Sequence, residues 1–218
     1  MSAPAGFWGF FLSQHSEILR LSLEHLGMVG TALGLAVLLG VPAGLLLTRR
    51  RRLAPLLLGL ATALQTIPSV ALLGLLMMLP LVGGIGRVPA VAALFIYSLM
   101  AILENTFTGI LQVDAAVVDA GRGLGMTDGQ ILLLVELPQA LPVIVAGVRI
   151  SAVLCIATAT VASYVGAGGL GDLIFRGVGR GNNAMVAWGA LPAIGMALVA
   201  HRFLTVLERR LSRRANPS

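Results

Sequence analysis

The sequence predicts an all-α polytopic membrane protein with five transmembrane helices, N-terminus outside and C-terminus inside. Three observations predict it. First, 57% of the 218 residues are hydrophobic, 11% are charged, and the mean hydropathy is +0.95. A soluble domain carries about 25% charged residues and leaves much of its surface in water. An ordinary soluble enzyme and a disordered chain are therefore excluded. Second, the apolar residues fall in runs of the length, about 20 residues, that crosses a hydrocarbon layer. Third, glycine numbers 27 while aromatics reach only 5%, which suits closely packed helices better than a barrel with aromatic girdles.

All 15 basic residues are arginine, and 9 acidic residues leave a net charge of +6. The arginines stand at the edges of apolar runs, where they orient a protein in a bilayer rather than bind nucleic acid. The single cysteine, Cys155, lies inside an apolar run and excludes an intramolecular disulfide.

The opening apolar run, Phe7 to Leu12, is short and no basic residue precedes Arg20, so a secretory signal is not expected. From Phe7 to Leu26, aromatic and leucine residues mix with Gln14, His15, Glu17, Arg20 and Glu24, the pattern of an interfacial or partly inserted helix. Residues 1–25 are thus an N-terminal interfacial segment, 26–210 the transmembrane domain and 211–218 a cytoplasmic tail. The first span, Leu26 to Thr48, is 23 uncharged residues ending in Arg49-Arg50-Arg51-Arg52. Leu53 to Gly86 is 34 uncharged residues containing Pro55, Pro68 and Pro80. One kinked helix at roughly 56–79 with a short loop after it accounts for that length. Val88 to Ile110, Leu141 to Val165 and Met185 to Leu207 are the third, fourth and fifth spans. With Arg49–Arg52 in the cytoplasm, alternation also places the tail arginines Arg209, Arg210, Arg213 and Arg214 inside, as the positive-inside rule requires.

The segment from Gln112 to Pro138 is too polar for the bilayer, yet it is not loop-like. VDAAVVDAGRGLG carries small and apolar residues at helical spacing, and Gly121, Gly123 and Gly125 end that helix. Thr127-Asp128-Gly129-Gln130 matches a capping box that starts a second helix, which Pro138 and Pro142 bend into the fourth span. Two readings stand: a structured surface connection, or a docking surface for a cytoplasmic partner.

Asp119-Ala120-Gly121, then Gly125, Val135, Leu137 and Pro138, resembles the cytoplasmic loop E-A-A-x3-G-x9-I-x-L-P of ATP-binding-cassette importer permeases, with identical spacing. The departures are Asp for Glu, Gly for the second Ala and Val for Ile. The resemblance implies that Asp119, Ala120, Gly121, Gly125 and Met126 form a coupling helix seated on a separate ATPase subunit. ALQTIPSVALLGLL (Ala63 to Leu76), ENTFTGI (Glu104 to Ile110) and IATATVASYVGAGGLGDLIFRGV (Ile156 to Val178) extend the resemblance to osmoprotectant permeases, for glycine betaine, choline and carnitine, over roughly Leu26 to Arg210. Glu104 departs from that group's arginine before the Asn-Thr pair. VGAGGLG at 165–171 is shared with methionine-type permeases, which leaves an amino-acid importer as the alternative, and a membrane protein without an ATPase as a more distant one. The resemblance further implies an extracellular or periplasmic solute-binding protein, a second permease copy or homologue, and a bacterial or archaeal cell membrane.

Polar residues within spans need partners or a water-lined path. Gln65 and Ser69 flank Pro68, where they either satisfy the backbone that proline frees or line a pathway. Asn105 either bonds to a neighbouring helix or lines the same path. Thr160 and Tyr164 are four apart, share a face and are assigned to its border. Arg149 reads as a boundary anchor, and Glu104 pairs either with it or with the partner protein. The histidines lack metal-ligand spacing. Gly166, Gly168, Gly169 and Gly171 serve a turn rather than a phosphate. With no phosphate-loop motif and no lysine, the chain is expected to be no enzyme and to hold no cofactor, ATP and Mg being bound by the partner ATPase.

Overall fold

The computed structural model describes residues 6–80, 82 and 84–215, and all its regular elements are helical. The ends of the expected N-terminal segment and tail, residues 1–5 and 216–218, lie outside the described residues. In chain order the helices are α1 (Phe7–Arg49), α2 (Ala54–Thr66), α3 (Ser69–Met77), α4 (Arg87–Leu111), α5 (Ala115–Gly123), α6 (Asp128–Ile131), α7 (Leu137–Ala162), α8 (Gly171–Gly179) and α9 (Asn183–Ala215). Four segments are long and apolar enough to cross a membrane: α1, α4, the run from α6 through α7, and α9. The pair α2 and α3, bent by 99°, is apolar enough to be a fifth, broken span or a re-entrant loop. Its start follows the inner arginines, while beyond its end the Gly86 N–H donates to the Val165 carbonyl at 3.1 Å, at the outer end of α7.

The N-terminal segment is helical but not separate. α1 runs unbroken for 43 residues, about 65 Å at 1.5 Å per residue, twice the hydrocarbon thickness of about 30 Å. Its outer half rests on protein as well as lipid. Ile18 and Leu21 pack with Leu170, Leu173 and Met185. Glu17 pairs with Arg176 at 2.8 Å, and Glu24 with Arg87 at 3.1 Å. Trp188 stacks on Phe11 and donates its indole N–H to the Phe7 carbonyl at 2.9 Å.

Small residues set how close the helices come. Ala32, Ala36, Gly40 and Gly44 recur every fourth residue on α1 and are all buried. A Cβ on Gly44 would lie 2.6 Å from the Thr106 Cβ of α4. On α7, a Cβ on Gly147 would lie 2.5 Å from the Asn105 Cβ of α4. Such stripes let backbones approach in lipid, where apolar burial gives no preference for protein over acyl chain. α4 is thereby the central helix, flanked by α1 and α7 and touched by α2 and α3.

Two proline expectations are corrected. The kinked helix at 56–79 is two helices at 99°. Ile67, restricted by Pro68, is extended at φ −68°, ψ 126°, and Tyr97 of α4 donates its hydroxyl to the Ile67 carbonyl. Pro138, by contrast, breaks nothing. The ladder widens to a π turn over Leu132–Glu136, and the Leu137 N–H donates to the Leu132 carbonyl.

The outer segment after α7 is also more ordered than a loop. Gly168 and Gly169 take φ +80° and +82°, the freedom expected of them. They return the chain as α8, which packs on α9. Beside them, His25 is fully buried, its Nε2 3.1 Å from the Ile156 carbonyl. A carbonyl only accepts, so Nε2 donates and ties α1 to α7. Gly171 sits so close that a Cβ would lie 1.9 Å from the Thr160 carbonyl oxygen. Gly171→Ala is expected to lose about 1–3 kcal/mol by overpacking, read as a lower thermal midpoint of the purified protein. Gly59→Ala, where a Cβ meets nothing within 4 Å, should leave that midpoint unchanged.

Candidate functional site

Two places gather polar groups: the loop between α4 and α7, and a cavity beside the α2–α3 break. In the loop, the Asp114 carboxylate caps α5 by accepting the Ala116 N–H at 2.9 Å. α5 ends in a paired-bond turn. The Met126 N–H donates to the Gly121 carbonyl at 3.1 Å and the Gly125 N–H to the Arg122 carbonyl at 2.9 Å, with Gly125 at φ +81°. Thr127 and Gln130 then close the expected capping box at the start of α6. Asp119, Ala120 and Gly125 are exposed, and Asp119 pairs with Arg122 at 3.0 Å. Gly121 is buried under Met126, whose Sδ lies 3.3 Å from where a Cβ would stand. The loop is thus a small helical hairpin with an open outer face and a fixed turn.

This hairpin is clamped to the membrane helices. Glu136, at the end of the π turn, is buried, and both its oxygens face Arg49 of α1, at 2.5 and 3.5 Å. A two-point arginine–carboxylate contact holds direction as well as distance. Arg149 pairs with Glu208 of α9 at 3.0 Å. Glu104, the alternative partner, is exposed and makes no ion pair among the described residues.

The cavity encloses about 360 Å³ between the α2–α3 break, α4 and α7. Gln65, Thr66, Pro68 and Ser69 form one wall, Tyr97 and Ser98 another, and Ser151, Cys155 and Thr158 a third. Its volume lies at the small end of ligand pockets, about 300–1,000 Å³. None of the lining residues is charged.

Of the residues assigned to a pathway, Gln65 and Ser69 lie on this cavity and the other three do not. Asn105 is wedged against Gly147, its amide donating to the Ala101 carbonyl at 2.8 Å, so it serves helix packing. Thr160 bonds the Ala157 carbonyl of its own helix at 2.7 Å. Tyr164 is 73% exposed beside Phe175, in the turn after α7. Thr160 and Tyr164, noticed for a shared helical face, lie outside the lining of this cavity. Four residues escaped sequence reasoning: Tyr97 and Ser151 on the cavity, and Arg49 with Glu136 below it. Tyr97 and Ser151 stand out only as polar residues deep in apolar runs, and nothing local links Arg49 to Glu136.

Residues 36–213 match the family described as binding-protein-dependent transport system inner membrane component. The chain is 43% identical over 206 residues to the carnitine transport permease protein OpuCB of Listeria monocytogenes, covering 94% of this chain and 93% of that one. It is 42% identical to the choline transport system permease protein OpuBB of Bacillus subtilis, covering 93% and 92%. It is 43% identical to the osmoprotectant import permease protein OsmW of Salmonella typhimurium, covering 91% and 95%. Among solved structures, an inward-facing MetNI methionine ABC transporter superposes with a TM-score of 0.81 at 22% identity, covering 90% and 96%.

The clamp generates a test. Removing one partner of a buried pair strands the other charge, so Arg49→Met is expected to cost about 1–3 kcal/mol, discounted for the partial exposure of Arg49. The double variant Arg49→Met/Glu136→Leu should recover part of that loss. Equal additive losses in the two single variants would show that the pair is not coupled.

Proposed function

Because the chain belongs to the family of binding-protein-dependent transport system inner membrane components, we propose that it is the permease of an ATP-driven importer for quaternary-amine osmoprotectants such as glycine betaine, choline or carnitine. It is a transport component, and ATP hydrolysis falls to a separate subunit. The observation that carries the cargo is that relatives named for carnitine, choline and osmoprotectants match more than nine-tenths of this chain at 42–43% identity. The amino-acid alternative rests on a likeness of fold at 22% identity, which speaks for the fold alone.

In this reading Asp119, Ala120 and Gly125 meet a cytoplasmic ATPase, while Gly121 and Met126 hold the turn that presents them. Two copies, or one copy and a homologous permease, enclose the path between them in the cell membrane. A solute-binding protein delivers cargo to the outer end. When the ATPase subunits close on ATP and Mg, the hairpin is displaced. Helix α7 receives that displacement directly, because the backbone is helical from Asp128 to Val165. Helix α1 receives it through Glu136 and Arg49. Displacing two packed helices together changes access to the cavity from one side to the other.

Uptake of labelled glycine betaine at raised osmolarity, in a transport-deficient host carrying the cognate ATPase and binding protein, is expected to require this chain. Unlabelled choline and carnitine should compete and methionine should not; methionine competition alone would replace the cargo assignment. For the coupling face, Gly125→Glu places a bulky charge at a left-handed position, at about 1–2 kcal/mol of local strain. It is expected to abolish co-purification of the ATPase and uptake together. Gly125→Asn, which tolerates that backbone, should retain most of both. Intact assembly and uptake in Gly125→Glu would remove Gly125 from the interface.

A further inference from the structure

The α2–α3 break leaves two helix ends open to the cavity. The carbonyls of Gln65 and Thr66, at the end of α2, receive no backbone N–H among the described residues, and both residues line the cavity. At the start of α3, the first N–H with a partner is that of Leu72, which donates to Pro68. The N–H groups of Ser69, Val70 and Ala71 have no backbone partner among the described residues, and of the three residues Ser69 lines the cavity. A helix C-terminus carries a partial negative charge and an N-terminus a partial positive one. The break thus sets opposite partial charges side by side, at a depth where unpaired backbone persists only beside a polar cavity.

A second observation is independent of the backbone. Ser151 of α7 is 2% exposed, lines the same cavity, and its hydroxyl has no hydrogen-bond partner among the described residues. A buried hydroxyl left bare is costly unless something bonds it. The Tyr97 hydroxyl is already committed to the Ile67 carbonyl, so what it offers the cavity is its ring.

We propose that this cavity is a solute subsite for a net-neutral zwitterion bearing a carboxylate and a quaternary ammonium, an assignment that rests on the cargo proposed above. The carboxylate accepts from the Ser151 hydroxyl and the Ser69 N–H at the start of α3. The quaternary ammonium, which has no proton to donate, lies against the Tyr97 ring and the open carbonyls of α2. The absence of lining charge suits a net-neutral solute, because a free charge at this depth is expensive. Choline, a net cation without a carboxylate, uses only the α2 side and is expected to protect at higher concentration than glycine betaine.

Cys155 lines the cavity and is the single cysteine of the chain, so it reports occupancy. The permease–ATPase assembly, in nanodiscs without binding protein, is treated with 2-(trimethylammonium)ethyl methanethiosulfonate. The Cys155 thiolate attacks the reagent sulfur, a mixed disulfide forms and methanesulfinate leaves; mass spectrometry of the Cys155 peptide gives the rate. Glycine betaine is expected to slow the reaction severalfold. Ser151→Ala should raise the glycine betaine concentration for half-protection about tenfold, the loss of one hydrogen bond to a charged group. Half-protection by choline should not change, and Ser151→Thr should restore the wild-type value. An unreactive Cys155, no protection by glycine betaine, or an equal loss for both solutes in Ser151→Ala would overturn the subsite. Uptake by the same assembly with its binding protein separates the two proposals. Uptake without protection refutes the subsite and leaves the cargo standing, whereas absence of both refutes the cargo and the subsite with it.

Discussion

In hydrocarbon, a backbone N–H or carbonyl without a partner costs several kcal/mol, and this constraint shapes every segment of the chain. It makes each crossing helical, and it dictates what happens wherever a helix is interrupted. At Pro138 the ladder shifts to a π turn and continues. At Pro68 the ladder stops; a tyrosine hydroxyl meets the Ile67 carbonyl, and the remaining groups border polar space. The difference between the two prolines is their setting. Pro138 lies at the inner edge, where the helix has protein on one side and water on the other. Pro68 lies where only neighbouring helices can compensate.

Close packing follows from the same medium. Since lipid is as apolar as leucine, helices associate through contact distance and hydrogen bonds rather than expulsion of water. Four small residues on α1, with Gly109 and Gly147 at the α4–α7 contact, bring three backbones together. That leaves α4 flanked on both sides and makes the α1–α4–α7 group one mechanical unit. Its ion pairs sit at the two ends: Glu17 and Glu24 with outer arginines, Glu136 and Glu208 with inner ones. Charge is thus placed where it is solvated or paired, and the middle is left to neutral polar groups.

These two features give the molecule its transport logic. The hairpin is joined to α7 by continuous backbone and to α1 by an arginine–carboxylate clamp. The cavity lies between α4, α7 and the α2–α3 break. The outer end is held differently, by glycine turns, His25 and the α8–α9 packing, and forms a separate anchorage.

The sequence by itself determined the class of protein, the apolar runs that become its long helices, and the form of the inner hairpin down to its capping box. Each depends on local properties: the length of an apolar run, the charges at its ends, the residue types at a helix terminus. Gln65 and Ser69 were legible beside the cavity because proline marks freed backbone. The tertiary structure alone decided that α1 runs through Leu26, that the second span breaks at 99°, and that Asn105, Thr160 and Tyr164 face away from the cavity. It also supplied Tyr97, Ser151, and the Arg49–Glu136 pair, whose members stand 87 positions apart. The physical reason is that an interrupted or polar position is resolved by whatever lies across from it. In a bundle of helices that neighbour comes from a distant part of the chain.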